Sequence, residues 1–224
     1  MDVDIASAAL WVFPLLLALV FHEFAHGYVA ARLGDDTAAS MGRLTLNPAA
    51  HIDLFGTVIM PALLFVSGSP FLFGYAKPVP VNWHRLGNPV RDMVYVAAAG
   101  PAMNLVLAAA SAVALGLLSA GGSGPGYDPG YETGGFAVAA PLAIMARRSL
   151  LLNVVLAVFN LLPIPPLDGG RVAVGLLPTS AALALSRLEP YGFLIVFCLL
   201  LTGILGSLIG PVIRIIVGLL GVFI

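Results

Sequence analysis

Long apolar runs broken by short polar clusters organise this chain. Five runs are long enough, or nearly so, to cross a bilayer at about 20 residues per crossing. They cover roughly residues 6–33, 53–67, 93–120, 137–167 and 189–224. The last is long enough for two passes, divided near Gly210-Pro211. The second, from Asp53 to Ser67, is short and reads as re-entrant. Val79-Pro80-Val81 then predicts an extended return, because proline favours an extended residue before it. The longest polar stretch, Gly121 to Gly135, is a Gly/Pro-rich loop. No internal repeat and no separate soluble domain is evident. The expected fold is therefore an all-α polytopic membrane protein of five to six membrane segments, with a short re-entrant or extended element between the first and third. One membrane-embedded domain is expected over 1–224, with a core at about 6–170 and C-terminal helices at about 171–224.

Composition excludes the main alternatives. Of the 224 residues 60% are hydrophobic and only 9% charged, against roughly 25% charged in a soluble domain. Mean hydropathy is +1.02. That leaves too little charge to clothe a soluble surface, and disordered chains are polar. A net charge of -1 argues against nucleic acid as a partner. The lone Cys198 permits no intramolecular disulfide. Asp2 and Asp4 open the chain and no small-residue cleavage site follows the first run, so no cleavable signal is expected.

Lys and Arg in short loops set orientation. None precedes the first run; Arg32 and Arg43 follow it, and Lys77, Arg85 and Arg91 precede the third. The 121–135 loop has none, and Arg171 and Arg187 follow the fourth run. The expectation is an outer N-terminus, inner segments at 32–52, 77–92 and 171–187, and an outer loop at 121–135. Arg147-Arg148 fit two registers. A fourth helix starting after them leaves them outside, against the rule. One starting near Phe136 puts them in the bilayer, where they need a wet cavity.

The chemistry sits in the first run. Of four His and three Glu in the chain, two His and one Glu fall within His22-Glu23-Phe24-Ala25-His26. Positions i and i+4 share a helix face, so two imidazoles there can share one zinc ion. Glu23, one residue along, can reach a water that zinc acidifies and act as general base. Three ionisable groups in one turn of a membrane helix are costly to keep without a role. A catalytic zinc takes three protein ligands, and the third has to come from elsewhere. Candidates in or beside the apolar runs are His51, Asp53, His84, Asp92 and Asp168. Topology favours Asp168, at the inner end of a run parallel to the first. Pro163, Pro165, Pro166, Gly169 and Gly170 keep its surroundings from remaining helical. Broken backbone at membrane depth is tolerated only around a protein-lined or watery cavity.

At this point the sequence resembles the site-2 protease family of intramembrane zinc metalloproteases, in its compact prokaryotic branch. His22-Glu23-Phe24-Ala25-His26 looks like the family's zinc-binding helix, Gly100-Pro101-Ala102-Met103-Asn104 like its Gly-Pro-x-x-Asn element, and the stretch from Asn160 to Gly170 like its Pro-rich Asp-Gly motif. Gly42 to Pro48 and Ala76 to Asn82 also look like segments of that branch. The likeness covers roughly residues 15–170. It implies one Zn2+ per chain held by His22, His26 and Asp168, Glu23 as base, and Asn160 as a donor to the substrate carbonyl or oxyanion. Asn104 and Gly100-Pro101 are expected to be structural, the pair letting another helix approach closely. The implied activity is hydrolysis of peptide bonds in or near a transmembrane segment of another protein, one already trimmed by a first protease. The implied place is the plasma or inner membrane of a prokaryote, with the site toward the cytoplasm. No PDZ-like insert and no CBS pair is expected, so substrate selection falls to the membrane core or a partner.

Two rivals use the same residues. A metal- or proton-coupled transporter would use the His and Asp side chains as an ion path; the lack of paired repeats and the presence of Glu23 weigh against it. An inactive scaffold would not need His22, Glu23, His26 and Asp168 all intact. Elsewhere, His51 is expected to be an interfacial hydrogen-bonded side chain, and His84 beside Trp83 an interface anchor. Phe71 to Val81 admits two readings, an extended edge able to hold an unwound substrate or a plain re-entrant loop.

Overall fold

In a bilayer the backbone has to satisfy its own hydrogen bonds, and apolar runs do so as helices. The computed structural model describes residues 5–60, 63, 76–120 and 139–221. Helix α1 is Ile5–Arg32, α2 the single turn Thr37–Ser40, α3 Pro89–Ala120 and α4 Ala139–Asn160. Helices α5 (Asp168–Leu176), α6 (Thr179–Ser186), α7 (Gly192–Leu201) and α8 (Ile204–Leu219) follow. A π-helical segment, Leu54–Ile59, follows Asp53, whose carboxylate accepts from the Gly56 amide. The protein is all-α, with no strand among the described residues.

Among the described residues four stretches are long and apolar enough to cross a membrane: Leu10–Arg32, Pro89–Leu118, Ala140–Asn160 and Thr179–Leu201. The fourth starts at Thr179, earlier than the 189 expected. Arg187 and Glu189 lie at the turn between α6 and α7 without ending the apolar run. The C-terminal division also differs from expectation. It falls at Thr202-Gly203, where Gly203 takes a left-handed φ of 73°, whereas Pro211 lies inside α8. A left-handed residue leaves the helix, while a proline removes one of its hydrogen bonds. The Gly121 to Gly135 loop, and residues 71–75 of the expected extended edge, lie outside the described residues.

Helices α1, α3 and α4 form the core, and side-chain pairs give their register. Trp11 pairs with Arg148, Asn104 bonds both Ala18 and Asn153, and His26 bonds Val96. Thus α1 and α4 run parallel and α3 runs against both. Small residues at the crossings (Ala18, Ala30, Ala108 and Ala157, all fully buried) let the helices approach closely. Helix α8 closes one side, Val217 joining Ala108, Leu150, Val154 and Val158. The Gly87 amide donates to the Leu33 carbonyl at 3.1 Å, so residues 34–86 leave and return at the same end of the bundle.

Helix α4 starts at Ala139, so Arg147 and Arg148 lie within it. The Arg148 guanidinium sits 4.6 Å from the centroid of the Trp11 ring. Trp favours the membrane interface and its face attracts a cation, so this aromatic ring meets the Arg148 charge.

Candidate metal centre

His22 and His26 sit one turn apart on α1, and α3 supplies what fixes each ring. His26 Nδ1 lies 2.7 Å from the Val96 carbonyl, which can only accept, so Nδ1 carries the proton. His22 Nδ1 lies 2.6 Å from Asn104 Oδ1. The Asn104 Nδ2 donates to the Ala18 carbonyl at 3.2 Å and to Asn153 Oδ1 at 2.8 Å, which leaves Oδ1 to accept from His22. In the neutral tautomer that these bonds select, both rings turn the Nε2 lone pair inward, the two Nε2 atoms 3.0 Å apart. Asp168 Oδ2 completes the group at 3.1 Å from His22 Nε2 and 3.4 Å from His26 Nε2.

Three lone-pair atoms thus converge with no proton assigned between them. The His22, His26 and Asp168 side chains are only 9%, 12% and 11% exposed. Such a group repels itself unless a cation lies between its members. Zinc at about 2.0 Å from each ligand of a tetrahedron needs ligand atoms about 3.3 Å apart. Separations of 3.0 to 3.4 Å meet that requirement, and the donor set suits zinc.

Local sequence explains how the three side chains reach one another. Gly100 lets α3 lie against the imidazoles: a Cβ there would fall against His26 Nε2 and 2.6 Å from His22 Nε2. The Gly100-Pro101 pair does allow close approach, and what approaches is the pair of rings. Asp168 enters from the turn after α4. Residues 161–167 are not α-helical, and Asp168 begins α5. A Cβ at Gly169 would collide with the Leu161 carbonyl, so the glycine lets the start of α5 tuck under that turn.

Glu23 lies beside the group, its Oε2 accepting the Val79 amide at 2.7 Å. Residues 76–82, without α-helix or strand, carry that amide across α1. Arg43 holds this segment by donating to the Lys77 and Pro78 carbonyls at 2.9 and 3.2 Å. The Lys77 amide donates to the His51 carbonyl, and the Asn82 amide to Asp35 Oδ2 at 2.6 Å. Burial works to raise the Asp35 carboxyl. The Thr37 hydroxyl, the Asn82 and Thr37 amides and nearby Arg85 outweigh it and hold the group below the usual carboxylate range.

Of the five candidates for a third ligand, only Asp168 joins the histidines among the described residues. His51 is buried within the fold, and its Nε2 makes the hydrogen bond expected of it, to the Thr45 carbonyl at 2.8 Å. Asp53 caps the π-helical segment, and Asp92 is buried against Arg91 and the Asn88 amide. His84 is exposed beside Trp83. Asn160 closes α4, its Nδ2 donating to the Leu156 carbonyl at 3.0 Å. No hydrogen bond joins Asn160 to the histidine–aspartate group among the described residues. Sequence reasoning missed Asn153, the Val96 carbonyl and the Val79 amide. The two backbone groups carry no side-chain signal, and a single Asn in an apolar helix has no diagnostic spacing.

Residues 131–203 match the family described as peptidase family M50. The chain is 41% identical over 196 residues to the "Putative zinc metalloprotease YwhC" of Bacillus subtilis, covering 88% of this chain and 81% of that protein. It is 34% identical over 187 residues to the "Putative zinc metalloprotease Rip2" of Mycolicibacterium smegmatis, covering 84% of this chain and 64% of that protein. No solved structure matches the chain significantly.

Proposed function

The chain belongs to peptidase family M50 and is a zinc metalloprotease of the membrane, and we propose that His22, His26 and Asp168 hold the zinc, with Glu23 as general base. The convergence of two imidazole Nε2 atoms and one carboxylate oxygen in one buried group carries this assignment. Zinc bound there supplies a Lewis acid that polarises a peptide carbonyl and acidifies water toward a pKa of about 7. Asn104 and the Val96 carbonyl hold the two rings in the tautomer that ligation needs. With Oε2 committed to Val79, Glu23 has Oε1 to take a proton from the attacking water and return it to the leaving amine. Asn160 keeps one amide hydrogen on Leu156 and has the other for the substrate carbonyl.

The substrate in this reading is a transmembrane segment of another protein, trimmed beforehand by a first protease. It has to unwind before a peptide bond reaches the buried group. Lys77, Arg85 and Arg91 lie at the end of the bundle where the 34–86 segment leaves and returns, and this clustering of positive charge supports reading the site as facing the cytoplasm. Residues 1–224 act as one membrane-embedded protease domain.

The test is cleavage of a generic single-span substrate by purified protein in detergent, with zinc counted, beside Glu23→Gln. Cleavage by wild type alone, with about one zinc in both proteins, is the expected result. Absence of zinc from the wild type would overturn the ligand assignment and return the ion-transport reading.

A further inference from the structure

We propose that Asn153 is a positioning residue that sets the tautomer of His22 through Asn104; the inference rests on the zinc-site reading above. Each link in this chain of bonds is forced by the one before it. The Ser149 carbonyl, one turn earlier on α4, can only accept. Asn153 Nδ2 lies 2.8 Å from it, so the other end of that amide, Oδ1, faces Asn104. Asn153 Oδ1 can only accept, so Asn104 presents Nδ2 to it and to the Ala18 carbonyl. Asn104 Oδ1 is left for His22 Nδ1, which has to donate. The proton then sits on Nδ1, and Nε2 faces Asp168 and His26 with its lone pair.

The opposite arrangement has a definite cost. Moving the proton to Nε2 requires Asn104 to turn over, which sets its Oδ1 against the Ala18 carbonyl. Asn153 has to turn with it, which sets its own Oδ1 against the Ser149 carbonyl. Two oxygen–oxygen contacts replace two hydrogen bonds, where Ala18, Asn104 and Asn153 are 0–1% exposed and Ser149 is half-buried. The Ala18 bond, at 3.2 Å, is the longer of the two restraints on Asn104; the Asn153 bond, at 2.8 Å, is the shorter. Partners of this kind orient a ligating imidazole and raise its basicity. Asn153 thus acts on the metal centre from another helix and two hydrogen bonds away.

The experiment compares wild type, Asn153→Leu, Asn153→Asp and Ser149→Ala as full chains in detergent. Two quantities are read: zinc affinity by competition with a chelator, and the nitrogen-15 shifts of the imidazoles in the zinc-free protein. With four histidines in the chain the spectrum is simple, and His22→Ala assigns the signal. Asn153→Leu is expected to weaken zinc binding by roughly tenfold, the lower end for a lost outer partner, and to shift His22 toward the Nε2-protonated form. Asn153→Asp keeps an acceptor for Asn104 and is expected to keep the wild-type tautomer. Ser149→Ala removes a hydroxyl that bonds Ser111 and accepts from Asn153 Nδ2 at 3.2 Å, but leaves the shorter 2.8 Å bond to the Ser149 carbonyl, and is expected to change neither quantity. A wild-type tautomer and zinc affinity in Asn153→Leu overturns the proposal. If that variant does not fold, loss of the tautomer in Asn153→Asp overturns it. A wild type with the assigned tautomer but no zinc affinity would instead sink the zinc-site reading and leave the positioning chain standing.

Discussion

The backbone amide of Val79 is hydrogen-bonded to the Glu23 carboxylate at 2.7 Å, tying the loop before α3 to the helix that carries His22 and His26. In the proposed mechanism the tie leaves one carboxylate oxygen for proton transfer and fixes where it points. Val79 lies between Pro78 and Pro80, so a third proline fits the local chain and deletes this single donor. A hydrogen bond to a charged group contributes about 1.5–3 kcal/mol. Val79→Pro is therefore expected to lower kcat by about ten- to a hundredfold and to leave zinc content unchanged. An unchanged or higher kcat would mean that the amide does not orient the base.

The imidazoles lean on bare backbone at Gly100. Gly100→Ala is expected to strip zinc from the purified protein and abolish cleavage, because the methyl group takes the place of the ring nitrogens. Gly116, on the same helix, has open space around it. Gly116→Ala is expected to retain zinc and activity, with slightly raised thermal stability from its better helix propensity. Equal behaviour of the two variants would contradict the packing described.

Asp168 supplies the only carboxylate oxygen of the converging group. Asp168→Asn removes that charge with little change in shape. Its loss of zinc affinity should exceed the roughly 10–100-fold that follows removal of an outer partner. Titration with a competing chelator measures it. A loss below tenfold would exclude Asp168 as a ligand.

The Asp35 contacts predict a pH dependence of stability. The carboxyl is held below its ordinary value in the folded chain, so its contribution is complete above about pH 3.9, the unfolded value. It is lost as pH falls from there through the folded value. Unfolding in detergent should therefore show a stability loss below about pH 4 that is smaller in Asp35→Asn. At pH 7 that variant is expected to melt roughly 3–10 °C lower, through loss of charge-assisted bonds from Thr37 and Asn82. A parallel acid profile in both proteins would assign the effect elsewhere.

What was legible in the sequence depended on rarity. Ionisable residues are so scarce in this chain that His22, Glu23, His26 and Asp168 stand out against an apolar background, and prolines and glycines around Asp168 announced the broken backbone. The membrane runs were legible for the same reason. Their interruptions were less so, because hydropathy does not register a left-handed φ at Gly203, and Pro211 drew attention to the wrong place. The hydrogen bond of His51 was legible, but its contact with the 76–82 segment, whose Lys77 amide bonds the His51 carbonyl, is long-range and no local pattern encodes it. Asn153 carried no signal at all. Its role comes from the packing of α4 against α3, which no spacing within either helix encodes.

Gly100 gives the metal centre one wall made of main chain alone. Such a wall offers mutation almost nothing to vary: any added atom strikes the ligands, and none can be taken away. An engineer seeking altered cleavage preference, or a lineage drifting toward new substrates, would have to work at positions away from this wall. Tolerance to substitution around this centre should therefore be lopsided, close to nil at Gly100.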